Sequence, residues 1–151
     1  MTHRQKFDLI YKAEDLLWVT QPIPLVLKIG RAKPKKADLN SFTNLGHRKS
    51  QNSVKQAYAK YLKNVLPEPP LEPYLDRVKF LFTYMAPDRR IRDLGNMCAM
   101  VDKFTSDVVV DLGFIVDDST KYIHNIHFAY AGIDENKFSH ARLYIFKDYD
   151  I

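Results

Sequence analysis

The stretch PDRRIRDLGNMCAMVDKFTSDVVVDLGFIVDDSTKYI, residues 87–123, decides the fold of this chain. Pro87 ends an alternating apolar run that begins at Val78 and is typical of a β-strand. Apolar side chains then recur every three or four positions over residues 96–112, which predicts a helix. A second strand-like run occupies residues 121–131. The stretch therefore predicts a strand, a helix and a strand in succession.

The rest of the chain adds one long helix and two strands to this unit. Residues 50–66 carry an apolar stripe at helical spacing, and residues 23–29 and 140–147 have the composition of strands. Turn residues at 132–136 predict that the last two strands of the chain form an antiparallel hairpin. The lysine-rich segment 31–47 is predicted to be a loop.

The order of these elements predicts an α/β fold. We expect a mixed four-stranded sheet with two main helices packed on one face, formed by a single domain that spans residues 1–151. Residues 1–20 fit either a helix or a strand that begins at Leu16.

The composition is that of a folded protein of the cytosol. An apolar fraction of 46% and 19 aromatic residues argue against disorder. No apolar run approaches the roughly 18 residues of a membrane span, so no membrane partner is expected. The N-terminal segment does not have the pattern of a signal peptide. The single cysteine, Cys98, fits a reducing compartment, and we expect a cytoplasmic location.

Positive charge is concentrated in one part of the chain. Residues 28–63 contain ten Lys and Arg residues and one acid, Asp38, whereas the remainder of the chain is net acidic. The bland interpretation is a solvated surface. The sharper one is a protein that grips phosphate with one region and holds a metal ion with another.

The carboxylates on either side of the predicted second helix suggest where that metal would bind. Asp93 precedes the helix, and the pair Asp117 and Asp118 follows it. Asp93 alone would be a helix N-cap and the pair alone a turn. Together, carboxylates that converge on one point repel each other unless a cation such as Mg²⁺ neutralises them. Arginines beside Asp93 would hold phosphates, and we expect this role for Arg89, Arg90 and Arg92.

The ordered set of residues in this region resembles the signature of the RusA-type Holliday-junction resolvases, which are small dimeric Mg²⁺-dependent endonucleases of phages and prophages. The resemblance extends over about residues 20–147. Its matching positions are Pro87, Asp88, Arg89, Arg90, Arg92, Asp93, Leu94, Asn96, Lys103, Asp107, Gly113, Phe114, Asp117 and Asp118.

The resemblance implies a function and a role for each matching residue. The protein would be a crossover junction endodeoxyribonuclease, a homodimer that cleaves four-way or branched DNA with Mg²⁺, or Mn²⁺ as the alternative. It would act in recombination and repair or in phage DNA processing, within the bacterial host cytoplasm if a phage encodes it. Asp93 and Asp118 would be metal ligands, Asp117 a supporting acid, and Lys103 the catalytic lysine.

The chain departs from the family at Gly95, where a second metal-binding Asp is usual. Asp102 is one substitute, although it would lie about 10 Å further along a helix that starts at residue 95. Asp88 is another. A third interpretation is a DNA-binding protein with weakened or absent nuclease activity. If the site is one carboxylate short, Gly95→Asp should raise both metal affinity and cleavage rate.

Further DNA contacts are expected ahead of the first long helix. His47, Arg48 and Lys49 lie there, and the lysine-rich segment 31–36 precedes them. Contacts from these groups would be to backbone phosphates, which position DNA without reading its sequence.

Overall fold

A computed structural model describes residues 11–149, which form one mixed α/β unit. A 3₁₀ turn at Ala13–Asp15 leads into the sheet. The strands are β1 (Leu16–Val19), β2 (Ile23–Pro24), β3 (Val26–Leu27), β4 (Lys35–Lys36), β5 (Val78–Ala86), β6 (Ile123–Ile133) and β7 (His140–Lys147). The helices are α1 (Leu39–Asn44), α2 (Arg48–Val65) and α3 (Leu94–Asp111). No helix among the described residues is both long and apolar enough to cross a bilayer.

The main sheet is mixed, as predicted, but it has five strands instead of four. Its order is β1-β7-β5-β6, and the short β2 also pairs with β7. β5 is antiparallel to β7 and parallel to β6. A separate ribbon joins β3 to β4. The prediction of two main helices is confirmed, because α2 and α3 have 18 residues each, whereas α1 has six.

The predicted hairpin between the last two strands is wrong, because β5 lies between β6 and β7. The physical reason is the burial of β5 on both faces. Phe80 and Phe82 point to the helices, while Leu81 is buried on the opposite face. A strand that is apolar on both faces belongs in the middle of a sheet. β6 is largely exposed and takes the edge.

Segment 31–47 is also more ordered than the predicted loop. It contains β4 and α1, and α1 begins at Asp38, whose carboxylate accepts a hydrogen bond from the Ser41 amide at 2.9 Å. The predicted strand 23–29 is divided between β2 and β3. The strand alternative at Leu16 is confirmed, whereas the part of the N-terminal helix alternative before residue 11 lies outside the described residues.

The three helices pack on one face of the sheet around Phe104. Its ring stacks on Tyr58 of α2 at 5.4 Å between centroids and meets Phe42 of α1 at 5.7 Å. The Tyr58 hydroxyl donates a hydrogen bond to the carbonyl of Pro24 at 2.7 Å. These contacts fix α2 and α3 side by side, and the side chains between them form the candidate site.

The unit β5-α3-β6 determines where the ends of α3 lie. Val78 of β5 pairs with Ile123 of β6, and Ala86 pairs with Ile133, so both strands run in the same direction. Parallel neighbours need a crossover connection, which α3 supplies. The start of α3 therefore lies at the carboxyl edge of the two strands, and its end lies at their amino edge.

Candidate functional site

The loop before α3 is a closed turn held by Asp88. The Asp88 carboxylate accepts hydrogen bonds from the Arg92 guanidinium at 2.7 Å and from the Arg90 amide at 2.9 Å. The hydrogen bond from Arg92, with that from the Arg90 amide, lowers the pKa of Asp88 to about 2. Asp88 is therefore committed to its arginine partner, which counts against it as a substitute metal ligand. The side chains of Arg89 and Arg90 are exposed to solvent.

Asp93 is the N-cap of α3. Its carboxylate accepts a hydrogen bond from the amide of Asn96 at 3.2 Å, which satisfies one of the free N–H groups of the first turn. Gly95 lies in that turn without a positive φ, so the backbone does not require glycine there. A Cβ at residue 95 would lie 3.3 Å from Asp93 Oδ1. A carboxylate introduced at this position would thus adjoin that of Asp93.

Asp102 lies at the middle of α3, and Asp107 and Asp111 follow in its second half. Asp102 is half-buried, and its carboxylate accepts a hydrogen bond from the Ser106 hydroxyl at 2.9 Å. Burial raises the pKa of Asp102, and the negative charges of Asp118 and Asp107 raise it further, while the Ser106 hydrogen bond opposes them. The neighbouring Cys98 thiol also has its pKa raised, to about 12, by burial and by Asp102. The fold therefore disfavours the charged form of Asp102.

Asp118 faces a cavity of about 390 Å³ between α2 and α3. The cavity is lined by Lys55, Ala59, Phe104, Asp107, Val108, Val110, Asp111 and Asp118. Lys55 of α2 forms a salt bridge with Asp107 of α3 at 3.6 Å. The predicted site residue Lys103 is exposed on α3, directly after Asp102. The cavity thus combines the carboxylates of Asp107, Asp111 and Asp118 with the ammonium group of Lys55.

The two aspartates of the pair differ in their surroundings. Asp117 accepts hydrogen bonds from the Ser119 side chain and from the Asp118 amide, the latter at 2.9 Å, and these bonds lower its pKa. This is the behaviour of a turn residue. Asp118 instead lines the cavity beside α3. Of the pair, Asp118 is the residue in position to bind a ligand.

The structure does not bring Asp93 and Asp118 together within one chain. Asp118 adjoins α3 between Phe104 and Asp111, which are 11 and 18 residues beyond Asp93. At 1.5 Å per residue the separation along the helix axis is about 16–27 Å. Ligands of one Mg²⁺ lie about 2.1 Å from the ion. Among the predicted candidates, Asp102 is the one whose pKa is raised by the charge of Asp118.

Four of the basic residues predicted to contact DNA, Lys33, Lys35, Lys36 and Lys49, line a second cavity of about 490 Å³. It is lined by Lys33, Pro34, Lys35, Lys36, Ser41, Leu45, Lys49, Ser50, Ser53 and Val54. His47 is the N-cap of α2 and accepts a hydrogen bond from the Lys49 amide at 3.2 Å, while Arg48 is exposed beside it. Segment 33–36 and the start of α2, which are separate in sequence, therefore form one basic surface.

The sequence did not single out Lys55 as a site residue, and it assigned no role to Asp107. Lys55 is one of many lysines of the basic segment, and only the packing of α2 against α3 distinguishes it. Asp107 could have been recognised from the sequence, because it lies four residues after Lys103 and therefore on the same face of the helix.

The carboxylates of Asp102 and Asp118 suit a hard cation that takes its remaining ligands from water or from a substrate phosphate. Among residues 11–149, no three His, Cys, Asp or Glu side chains are grouped so that they could hold a metal ion by themselves. Asp102 and Asp118 offer only oxygen donors. Mg²⁺ is commonly bound through one or two carboxylates, with waters and substrate phosphates as the remaining ligands. The two carboxylates therefore suit a partly hydrated Mg²⁺ ion, and they are too few to form an all-protein metal cage.

No protein-family model matches this chain, and no curated protein matches it either.

Proposed function

We propose that the protein is a metal-dependent endonuclease that hydrolyses phosphodiester bonds in branched DNA, with four-way junctions as its main substrate. The observation that carries this proposal is the half-buried Asp102, whose charge is disfavoured by burial and by Asp118 and Asp107. Ionisable groups with such perturbed pKa values are concentrated at functional sites. A bound cation would relieve the repulsion between the carboxylates.

The proposed cofactor is Mg²⁺, or Mn²⁺ in its place. Asp102 and Asp118 would hold the ion, and a DNA phosphate would complete the ligand set. When bound, such an ion lowers the pKa of a water ligand and stabilises negative charge on the departing oxygen. Lys103 is exposed and lies one helical turn before Asp107, from where it would stabilise charge on the phosphate. Lys55 orients Asp107 through their salt bridge.

Two basic surfaces would bind the arms of the branched DNA. One is the lysine cavity formed by segment 33–36 and the start of α2. The other is the turn that carries Arg89, Arg90 and Arg92. In a homodimer, two-fold symmetry would place one metal site on each of two opposed junction strands. A homodimer that acts on branched DNA is also what the RusA-type resemblance implies.

A second candidate function is DNA binding without hydrolysis. Gly95 and the capping role of Asp93 favour it, because the carboxylate pair of the family signature is incomplete at the start of α3. Incubation of the protein with a labelled four-way junction, in Mg²⁺ and in chelator, decides between the two. Metal-dependent nicks near the branch support the nuclease, while tight binding with intact strands supports the alternative.

Asp118→Asn should abolish cleavage while junction binding stays equal or becomes tighter. The variant loses a metal ligand and also a negative charge close to the phosphates. Loss of a ligand removes several kcal/mol of transition-state stabilisation, so we expect a rate reduction of about 10³-fold. Asp117→Asn is the matched control, because its carboxylate serves a turn. Single-turnover rates that fall equally in both variants would contradict the assignment.

Asp102→Asn should remove metal binding without lowering stability. Because burial raises the pKa of Asp102 in the folded protein, ionised Asp102 costs stability at pH values above the normal range of an aspartate, and this cost disappears in acid. The variant should therefore be at least as stable as wild type at neutral pH and differ less from it at low pH. Mg²⁺ at 100 times its Kd should stabilise wild type by about 2.7 kcal/mol, a Tm rise of about 5–10 °C. Thermal denaturation with and without Mg²⁺ should show this rise in wild type and not in the variant.

Gly95→Asp tests whether the metal binds beside Asp93 at the start of α3 or at Asp102 and Asp118. Since Asp102 and Asp118 lie far from residue 95 along α3, we expect the added carboxylate to leave the cleavage rate and its Mg²⁺ dependence within about twofold of wild type. A joint gain in rate and metal affinity would instead place the site at Asp93, as the family signature implies. Titration of cleavage against Mg²⁺ in both proteins distinguishes these outcomes.

The salt dependence of junction binding should show whether the lysines of this cavity contact DNA phosphates. Six phosphate contacts would give a log–log slope of about −5, and each lost contact changes it by about 0.9. The triple change of Lys33, Lys35 and Lys36 to Gln should therefore reduce the slope by about 2.7 if each lysine contacts a phosphate. Lys63→Gln, in the last turn of α2, is the control. Anisotropy titrations over a range of salt concentrations would refute the assignment if the triple variant kept the wild-type slope.

A further inference from the structure

The turn before α3 exposes one aliphatic side chain completely. Ile91 has a relative accessibility of 101%, although isoleucine is among the residues most often buried. Leu71 is equally exposed, at 105%, but it lies between Glu68 and Glu72. Ile91 lies between Arg90 and Arg92. The surroundings of Ile91 therefore suit a polyanion, and those of Leu71 do not.

The turn holds Ile91 in a fixed position. Asp88 binds both the Arg92 guanidinium and the Arg90 amide, and the same guanidinium donates to the Arg90 carbonyl at 3.3 Å. These bonds bracket Ile91 on both sides. The backbone that presents Ile91 is therefore already ordered, and it loses little conformational entropy when the residue binds a partner.

A cavity of about 260 Å³ opens beside Ile91 at the carboxyl edge of β5 and β6. It is lined by Tyr84, Ala86, Arg89, Arg90, Ile91, Arg92, Leu94 and Tyr130. Tyr130 of β6 is 59% exposed, so one side of its ring is open to a ligand. Nucleobases stack on such aromatic rings regardless of sequence, and arginines hold the adjoining phosphates.

We propose that Ile91 is a wedge that inserts into an opened base step of DNA, and that the base it displaces packs against Tyr130. Apolar side chains inserted between base pairs unstack and kink duplex DNA in the same way. Arg89 and Arg90 hold the phosphates on either side of the step. Opening a step costs least where pairing and stacking are already broken. The wedge thereby distinguishes a branch point from a continuous duplex, and it rests on the proposed binding of branched DNA.

The test uses a four-way junction with 2-aminopurine at the branch and a second junction with this probe in the middle of one arm. Titrations with the full chain, in chelator to prevent cleavage, give the affinity from anisotropy and base unstacking from 2-aminopurine fluorescence. Wild type should raise the fluorescence of the branch probe and not that of the arm probe. Ile91→Ala should lose most of this rise and about tenfold in junction affinity, comparable to the loss of one stacking contact. Its affinity for linear duplex should change by less than about twofold.

Two further variants separate the wedge from general effects. Ile91→Met keeps an apolar side chain of similar size and should keep the rise, whereas Leu71→Ala should behave as wild type. An Ile91→Ala variant with the wild-type rise, or a wild type that binds junctions without any rise, overturns the wedge and leaves DNA binding intact. Absence of binding to any DNA by wild type overturns both the wedge and the proposed function.

Discussion

The parallel pairing of β5 with β6 constrains the positions of all the candidate site residues. Since each strand starts at the same edge of the sheet, the chain must return across it, and α3 provides this return. Its 18 residues extend about 27 Å, close to the roughly 30 Å of the nine-residue β5. Residues just before α3 therefore collect at one edge and residues just after it at the other. The arginine turn lies before the start of α3 and Asp118 lies beyond its end, while Asp102 is at the middle of the helix.

The carboxylates at the start of α3 and the carboxylate at its middle have opposite surroundings. At the start, Asp88 is neutralised by Arg92, and Asp93 is used to cap the helix. At the middle of the helix, Asp102 is half-buried and feels the charges of Asp118 and Asp107, with a hydroxyl as its hydrogen-bond donor. The first arrangement stabilises the fold without any ligand, because its charges are already compensated. The second leaves negative charge that an external cation can compensate, which is why we place the metal site there.

The local structure could be predicted from sequence better than the positions of distant residues relative to one another. The long helices were expected at 50–66 and 96–112, and each begins two residues earlier, because His47 and Asp93 are the N-caps. The apolar character of both faces of β5 would have indicated a central strand, but the turn at 132–136 favoured a hairpin. The pairing of Lys55 with Asp107 depends on how α3 is rotated against α2, and helical periodicity alone does not determine that rotation. The folding of segment 33–36 against α2 depends on tertiary packing in the same way.

The place of β7 in the sheet governs the order in which the protein can fold. β7 is the last strand of the chain, yet it lies between β5 and the N-terminal strands β1 and β2. Leu16 pairs with Phe146, a partner 130 positions away in the sequence. Until β7 leaves the ribosome, β1 and β2 have no partner strand in the sheet, and β5 and β6 form only a two-stranded parallel pair, which is marginally stable at best. Such distant pairings slow folding, because a long loop must close before any contact rewards it. The sheet is therefore completed only once β7 is available, and a nascent chain that lacks β7 leaves β1, β2 and one edge of β5 without their partner strand.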